Sequence, residues 1–145
     1  MKLSTRTRYG IRAAIELAGH YGEGPVQIRV IADKQAISVK YLEQLMAMLK
    51  SGGFVHSIRG SKGGYVLART PEQIKLDELF LALEGSITTA ECVDDESFCA
   101  RAADCAAREL WTQVQRAVLD VLGSFTLKDL LERAKNRRQS LNYQI

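Results

Sequence analysis

The apolar positions of this chain form a series of helical stripes, interrupted once by two short alternating stretches. Over residues 3–21, Ala13, Ala14, Leu17 and Ala18 recur at the spacing of one helix face, with Tyr9 and Ile15 alongside. The segment Gly22-Glu23-Gly24-Pro25 ends that pattern. Ile28, Ile31 and Ala32 mark a short second helix, Ile28–Gln35. After the turn Ala36-Ile37-Ser38, residues Leu42, Leu45, Met46 and Leu49 form the stripe of a third helix over 39–50. Ser38 is placed to cap it, and Gly52-Gly53 stops it. Lys40, Tyr41, Glu43, Gln44 and Ala47 fall largely off that stripe, so one face serves a core and the other something else. Residues 54–58 and 65–67 read as strands, and Gly60, Gly63 and Gly64 between them permit a tight turn.

The second half is again helical. Leu76–Glu84 is one helix, ended by Gly85. Residues 86–104 have weak periodicity and many acids, which predicts a loop with a helical turn. Residues 108–122 form the longest helix, on which Trp111, Val114, Val118, Val121 and Leu122 make a broad apolar face. Thr126-Leu127-Lys128-Asp129 resembles a capping box for a short last helix through Ala134, and residues 135–145 read as a loose basic tail. The fold class is therefore mainly α with a small β-hairpin. Residues 1–75 form a head, 76–107 a linker helix and loop, 108–135 the long helix and a short one, and 136–145 the tail.

Charge sharpens this picture. Residues 1–70 hold eleven Lys and Arg against four Asp and Glu, whereas residues 71–145 hold nine against thirteen. A basic front half points to a polyanionic partner. No apolar run approaches the ~18 residues of a membrane span, and no signal-peptide pattern opens the chain, so a cytoplasmic protein without a membrane partner is expected. Helix, short turn and helix followed at once by a basic glycine hairpin is the pattern of a winged helix-turn-helix. Such a head needs one helix for the major groove of double-stranded DNA and a wing for the backbone or minor groove. Gln44 can bond a base edge, and Glu43 can accept from cytosine. Ser38, Lys40 and Tyr41 complete the helix's DNA face, with Lys40 and Tyr41 suited to phosphates. Arg59, Gly60 and Lys62 form the wing tip, and Arg8 adds charge from the first helix. The apolar face around Trp111 exceeds what one small head can cover, which predicts a homodimer.

Cys92, Cys99 and Cys105 are the second chemical feature. An odd number of cysteines confined to fourteen positions is not a secreted disulfide framework. Their spacing is not the two-residue spacing of zinc fingers or thioredoxin-like sites. Three thiols on an acidic loop suit an iron–sulfur cluster, and equally describe small buried hydrophobes. Nothing in the chain supplies a nucleophile–base pair, and residues 60–64 lack the phosphate-loop pattern. An enzyme is not expected, although a small thiol-redox or cluster-carrier protein is the rival class.

Tyr41-Leu42-Glu43-Gln44-Leu45, Arg59-Gly60 followed by Gly63-Gly64-Tyr65, and three cysteines ahead of a tryptophan helix resemble the bacterial IscR/NsrR/CymR-type winged-helix transcription regulators. Met1-Lys2-Leu3-Ser4 with Arg8-Tyr9 also matches. The resemblance implies a homodimer on a pseudo-palindromic operator, acting as a repressor and dimerising through the helix of Trp111. It also implies an iron–sulfur cluster on the three cysteines, [2Fe-2S] ahead of [4Fe-4S], that senses iron–sulfur, iron, nitric oxide or redox status. A sister branch regulates cysteine metabolism without a cluster. The histidine that completes the site in one branch is replaced here by Arg108, and the aspartate that does so in another by Arg8. Arginine is permanently protonated and is no ligand. The fourth ligand is therefore open, with Glu91, Asp94, a partner-chain group or an exogenous ligand as candidates.

Overall fold

A computed structural model of the chain describes residues 1–143. Helix α1 (Thr5–Gly19) opens the fold, with Ser4 as its N-cap: the Ser4 hydroxyl accepts from the Thr7 N–H. Helices α2 (Ile28–Gln35) and α3 (Val39–Ser51) follow. Ser38 caps α3 as its sequence predicts, accepting from the Tyr41 N–H at 3.1 Å. Strands β1 (Val55–Ile58) and β2 (Gly64–Leu67) pair antiparallel, with Val55 opposite Leu67 and Ile58 opposite Gly64. A third edge is added by Val26, which exchanges two 2.9 Å backbone bonds with Tyr65. The hairpin is thus tied to the segment that leads into α2.

Helix α4 (Leu76–Glu84) has the expected bounds. The cysteine-bearing segment is a string of short turns: α5 (Glu91–Asp94) and 3-10 turns at Glu96–Phe98 and Ala102–Asp104. Helix α6 (Ala106–Gly123) is the long one. The last helix, α7 (Leu127–Tyr143), is much longer than expected. Residues 135–143, read from sequence as a loose tail, continue it, and the final two positions lie outside the described residues. Polarity suggested a tail, but Lys, Arg, Gln and Leu are good helix formers, and no Gly or Pro interrupts them.

One core joins these pieces. Leu17, Ile31, Leu42, Leu45, Met46, Leu49, Leu79 and Leu83 are almost wholly buried, and Leu127 from the start of α7 is buried among them. The Leu127 N–H donates to the Ile74 carbonyl at 2.8 Å, and the Leu76 N–H donates to Phe125 at 3.0 Å. These bonds pin the α6–α7 turn to the entry of α4. The first turn of α1 is pinned to the end of α4 by Glu84, whose carboxylate accepts from the Ser4 hydroxyl at 2.6 Å and from the buried Thr7 hydroxyl.

The two hydroxyls, Ser4 first, hold the Glu84 carboxyl below the usual carboxylate range. A lowered carboxylate pKa contributes stability that is present above the unfolded value and is lost as pH falls through the folded one. Glu84→Ala should therefore lower the thermal midpoint by a few degrees (of order 4 °C per kcal/mol) near neutral pH. The gap from the parent should narrow as pH falls through the lowered folded value. Melting curves across that range test this, and a gap independent of pH would remove the carboxylate from the account.

Candidate nucleic-acid interface and cysteine segment

The residues expected to read DNA lie on three elements. On α3, Lys40, Glu43 and Gln44 are exposed, off the buried stripe of Leu42, Leu45 and Met46. Ser38 is exposed, and its oxygen is already used as the cap, which leaves its O–H free to donate. Tyr41 differs from the others. It is half-buried and packs against the core, with its ring edge-on to Tyr9 of α1. Arg8 is exposed on α1, with its guanidinium 6.0 Å from the Tyr9 centroid. In the wing, Arg59, Gly60 and Lys62 are all exposed, and Gly60 has a positive φ of 116°. Lys50, at the end of α3, donates to the Ser57 hydroxyl at 2.9 Å and so links the recognition helix to the wing. Sequence periodicity singled out the exposed side chains. It did not show that Tyr9 of α1 packs edge-on against Tyr41, because such contacts depend on how two helices cross.

The cysteines sit on three different short elements: α5, the end of the Glu96–Phe98 turn, and the start of α6. All three are free thiols: Cys92 is half-buried on α5, Cys99 is exposed, and Cys105 is half-buried. Cys105 is the N-cap of α6, its sulfur accepting from the Arg108 N–H at 3.4 Å. Among the described residues, no group of three or more His, Cys, Asp or Glu side chains is placed to hold one metal ion. An iron–sulfur cluster needs its cysteine sulfurs around a single site. In this arrangement the three thiols make no three-ligand site for a single ion.

Arg108 fastens the segment instead. Its Nε donates to the Cys92 carbonyl at 2.7 Å, and Nη2 reaches Glu96 Oε1 at 3.0 Å. One turn on, Thr89 Oγ1 donates to the Trp111 carbonyl at 3.0 Å, and another turn on, Gln115 Nε2 donates to Asp94 at 3.0 Å. The Thr88 hydroxyl also donates to Asp94, and these two partners, Thr88 first, hold its carboxyl below the usual range. Asp94, a candidate ligand from sequence, is thus committed to α6, whereas Glu91 is exposed. The cysteine segment is bound to three successive turns of α6, so a change at the thiols is mechanically connected to that helix. An open groove of about 590 Å³, bordered by Asp104, Cys105, Arg108 and Arg116, runs beside it.

Helix α6 has no buried residue over its 18 positions. Trp111 is 42% exposed, Val114 41% and Val121 60%, while Val118 and Leu122 are half-buried. Val114, Val118, Val121 and Leu122 line an apolar groove of about 430 Å³. Met1, Leu3 and Phe80 complete it, which their separation along the chain concealed in the sequence. Trp111 lies outside it.

A helix-turn-helix with a tied β-hairpin behind it is the head of a winged-helix transcription regulator. Residues 3–133 match the Rrf2 family, described as iron-dependent transcriptional regulators, and the chain belongs to that family. The HTH-type transcriptional regulator CymR of Bacillus subtilis is 41% identical over 145 residues, all of both chains. Protein rrf2 of Nitratidesulfovibrio vulgaris is 42% identical over 134 residues, 92% of this chain and 89% of that one. The solved structure of B. subtilis CymR, described as the global cysteine regulator, superposes with a TM-score of 0.79 at 43% identity, covering 92% of this chain and 98% of that one. That of T. potens IscR gives 0.76 at 40%, covering 92% and 88%. These relatives are regulators, a non-enzymatic role. No helix among the described residues is long and apolar enough to cross a membrane.

Proposed function

We propose that the protein is a cytoplasmic homodimeric repressor. It binds a pseudo-palindromic operator in double-stranded DNA and receives its signal at the cysteine segment. The observation that carries this reading is a DNA-type head joined to a long helix that buries none of its residues in its own chain. Two heads related by a two-fold axis through α6 would address two half-sites of one operator. Lys40, Tyr41, Gln44 and Arg8 hold the duplex or read bases, Glu43 discriminates between sites, and Arg59, Gly60 and Lys62 engage the backbone or minor groove.

Two signals are compatible with that head. The geometry favours a signal carried by the thiols themselves, because Arg108 and the Cys105 cap hold the segment in a bonded arrangement without a three-sulfur site. The likeness to CymR over its whole length supports the same reading. The family's description as iron-dependent and the likeness to T. potens IscR support a cluster on Cys92, Cys99 and Cys105 instead. In that case the segment would have to rearrange.

The test is protein purified without oxygen, with its visible spectrum, iron and sulfide measured per chain, and its DNA affinity titrated against salt. Operator affinity should fall steeply with salt, by about one decade in affinity per decade of salt for each phosphate contact. Salt-insensitive, negligible binding would overturn the regulator reading. Colourless, iron-free protein after attempted reconstitution is expected from the thiol signal. A visible band with matched iron and sulfide, lost on replacing the cysteines, would establish the cluster in its place.

A further inference from the structure

The recognition helix is held from behind by a small polar and aromatic assembly. The Tyr9 ring meets the Tyr41 ring edge-on, with centroids 6.3 Å apart and planes at 89°. The Arg12 guanidinium stands 5.0 Å from the Tyr9 centroid. The same guanidinium donates from Nε to Gln35 Oε1 at 2.7 Å and from Nη2 to the Gln35 backbone carbonyl at 3.3 Å. Gln35 is the last residue of α2, where carbonyls lack partners within the helix. The next residue, Ala36, takes a left-handed φ of 54°, which a residue with a Cβ adopts only when its surroundings enforce it. One side chain of α1 therefore closes the end of α2, beside the strained turn into α3, and stacks on the ring that abuts Tyr41.

We propose that Arg12, acting through Gln35 and Tyr9, is a positioning residue for operator recognition: it sets the turn between α2 and α3 and the orientation of Tyr41. The proposal rests on the operator-binding reading given above. Arg12 and its contacts with Gln35 lie at the surface, where a cation–π contact and a solvent-exposed hydrogen bond add little to folding stability. Their geometric effect is larger. Base-edge readout requires hydrogen-bond distances to be met within a few tenths of an ångström. The simpler alternative is that Arg12 touches a phosphate directly. The two differ in what they predict, because a phosphate contact is independent of sequence and contributes to the salt slope, whereas positioning affects the specific site alone.

The probe is a duplex of about 30 base pairs, long enough for two half-sites, selected by the parent protein from a randomised pool, with a scrambled duplex as control. Anisotropy titrations over a salt series would compare Arg12→Lys, which keeps the charge and loses the fork, with Gln35→Ala, which leaves Arg12 intact. Each should weaken binding to the selected duplex about tenfold, the loss of one base contact. The salt slope, scrambled-duplex affinity and thermal midpoint should stay at parent values. The double variant should be no weaker than either single one, since both break the same link. Parent-like binding by both variants would overturn the proposal. An equal loss on both duplexes from Gln35→Ala would also overturn it, and an equal loss from Arg12→Ala with a slope reduced by about one would overturn it and assign Arg12 to a phosphate. If the parent selects no duplex at all, the operator reading falls and takes this proposal with it.

Discussion

Replacing Gly64 by alanine should detach the wing from the head. A Cβ at this position would lie 2.2 Å from the Val26 carbonyl oxygen and 2.5 Å from its carbon. Both are backbone atoms of the segment that pairs with Tyr65, so no side chain can move aside. The cheapest relief is to break the two Val26–Tyr65 bonds and let β2 swing away. Gly63 is equally confined, its Cβ meeting the Ile58 carbonyl oxygen at 2.1 Å. The loss should be about 3 kcal/mol or more of folding stability, in the range of severe backbone changes, with operator affinity falling about a hundredfold as the wing contacts are lost. Gly60→Ala is the control. Its Cβ would meet nothing within 4 Å, but its φ of 116° strains a side chain, so about 1–2 kcal/mol is expected. Urea unfolding and anisotropy on the same preparations separate the two. A Gly64→Ala protein with parent stability and affinity would show that the Val26 pairing does not hold the wing.

Sequence carried the fold wherever local chemistry and core packing agree. Ile28–Gln35 and Leu76–Glu84 have the expected bounds because their apolar stripes set their lengths, and Gly85 stops the second. The glycines of the wing were legible for the same reason: a tight turn and a close backbone approach need residues without Cβ. The length of α7 was not legible, because its large apolar residues packed on the core end at Leu131 while the helix continues over mostly polar, exposed positions. The cysteines were legible as a group in sequence but not as an arrangement in space. Whether three thiols converge depends on what else the segment bonds to, and here Arg108 reaches back sixteen residues to the Cys92 carbonyl. Arg108 stands where the resemblance expects a histidine ligand, and it brings five donors instead. The Tyr9–Arg12–Gln35 assembly was invisible for a related reason: long polar side chains find partners across helix crossings that periodicity does not encode. The candidate site was therefore readable as a set of exposed residue types and unreadable as a mechanism of holding them.

The largest effect on DNA binding is expected from α6. Val114→Glu combined with Val121→Glu places two carboxylates on side chains that are 41% and 60% exposed in the single chain. The head should keep its fold, since neither side chain belongs to its core. In the proposed dimer the same positions face a second copy across the groove that Leu3 and Phe80 help to form. Burying a valine there contributes about 1.5 kcal/mol or more per copy, and a buried unpaired carboxylate reverses that gain several-fold. The variant should sediment as a monomer at micromolar concentrations where the parent is a dimer. Its affinity for the two-half-site duplex should fall by a hundredfold or more. Once one head of a dimer is bound, the second binds at an effective concentration of the order of millimolar, which a monomer lacks. Affinity for a single half-site should be nearly unchanged, because the residues on α3 and in the wing are untouched. That contrast separates loss of dimerisation from loss of folding. A variant that remains dimeric would remove α6 as the interface. A monomer that binds the full duplex as tightly as the parent would remove two-fold recognition, leaving the exposed face of α6 for a different partner.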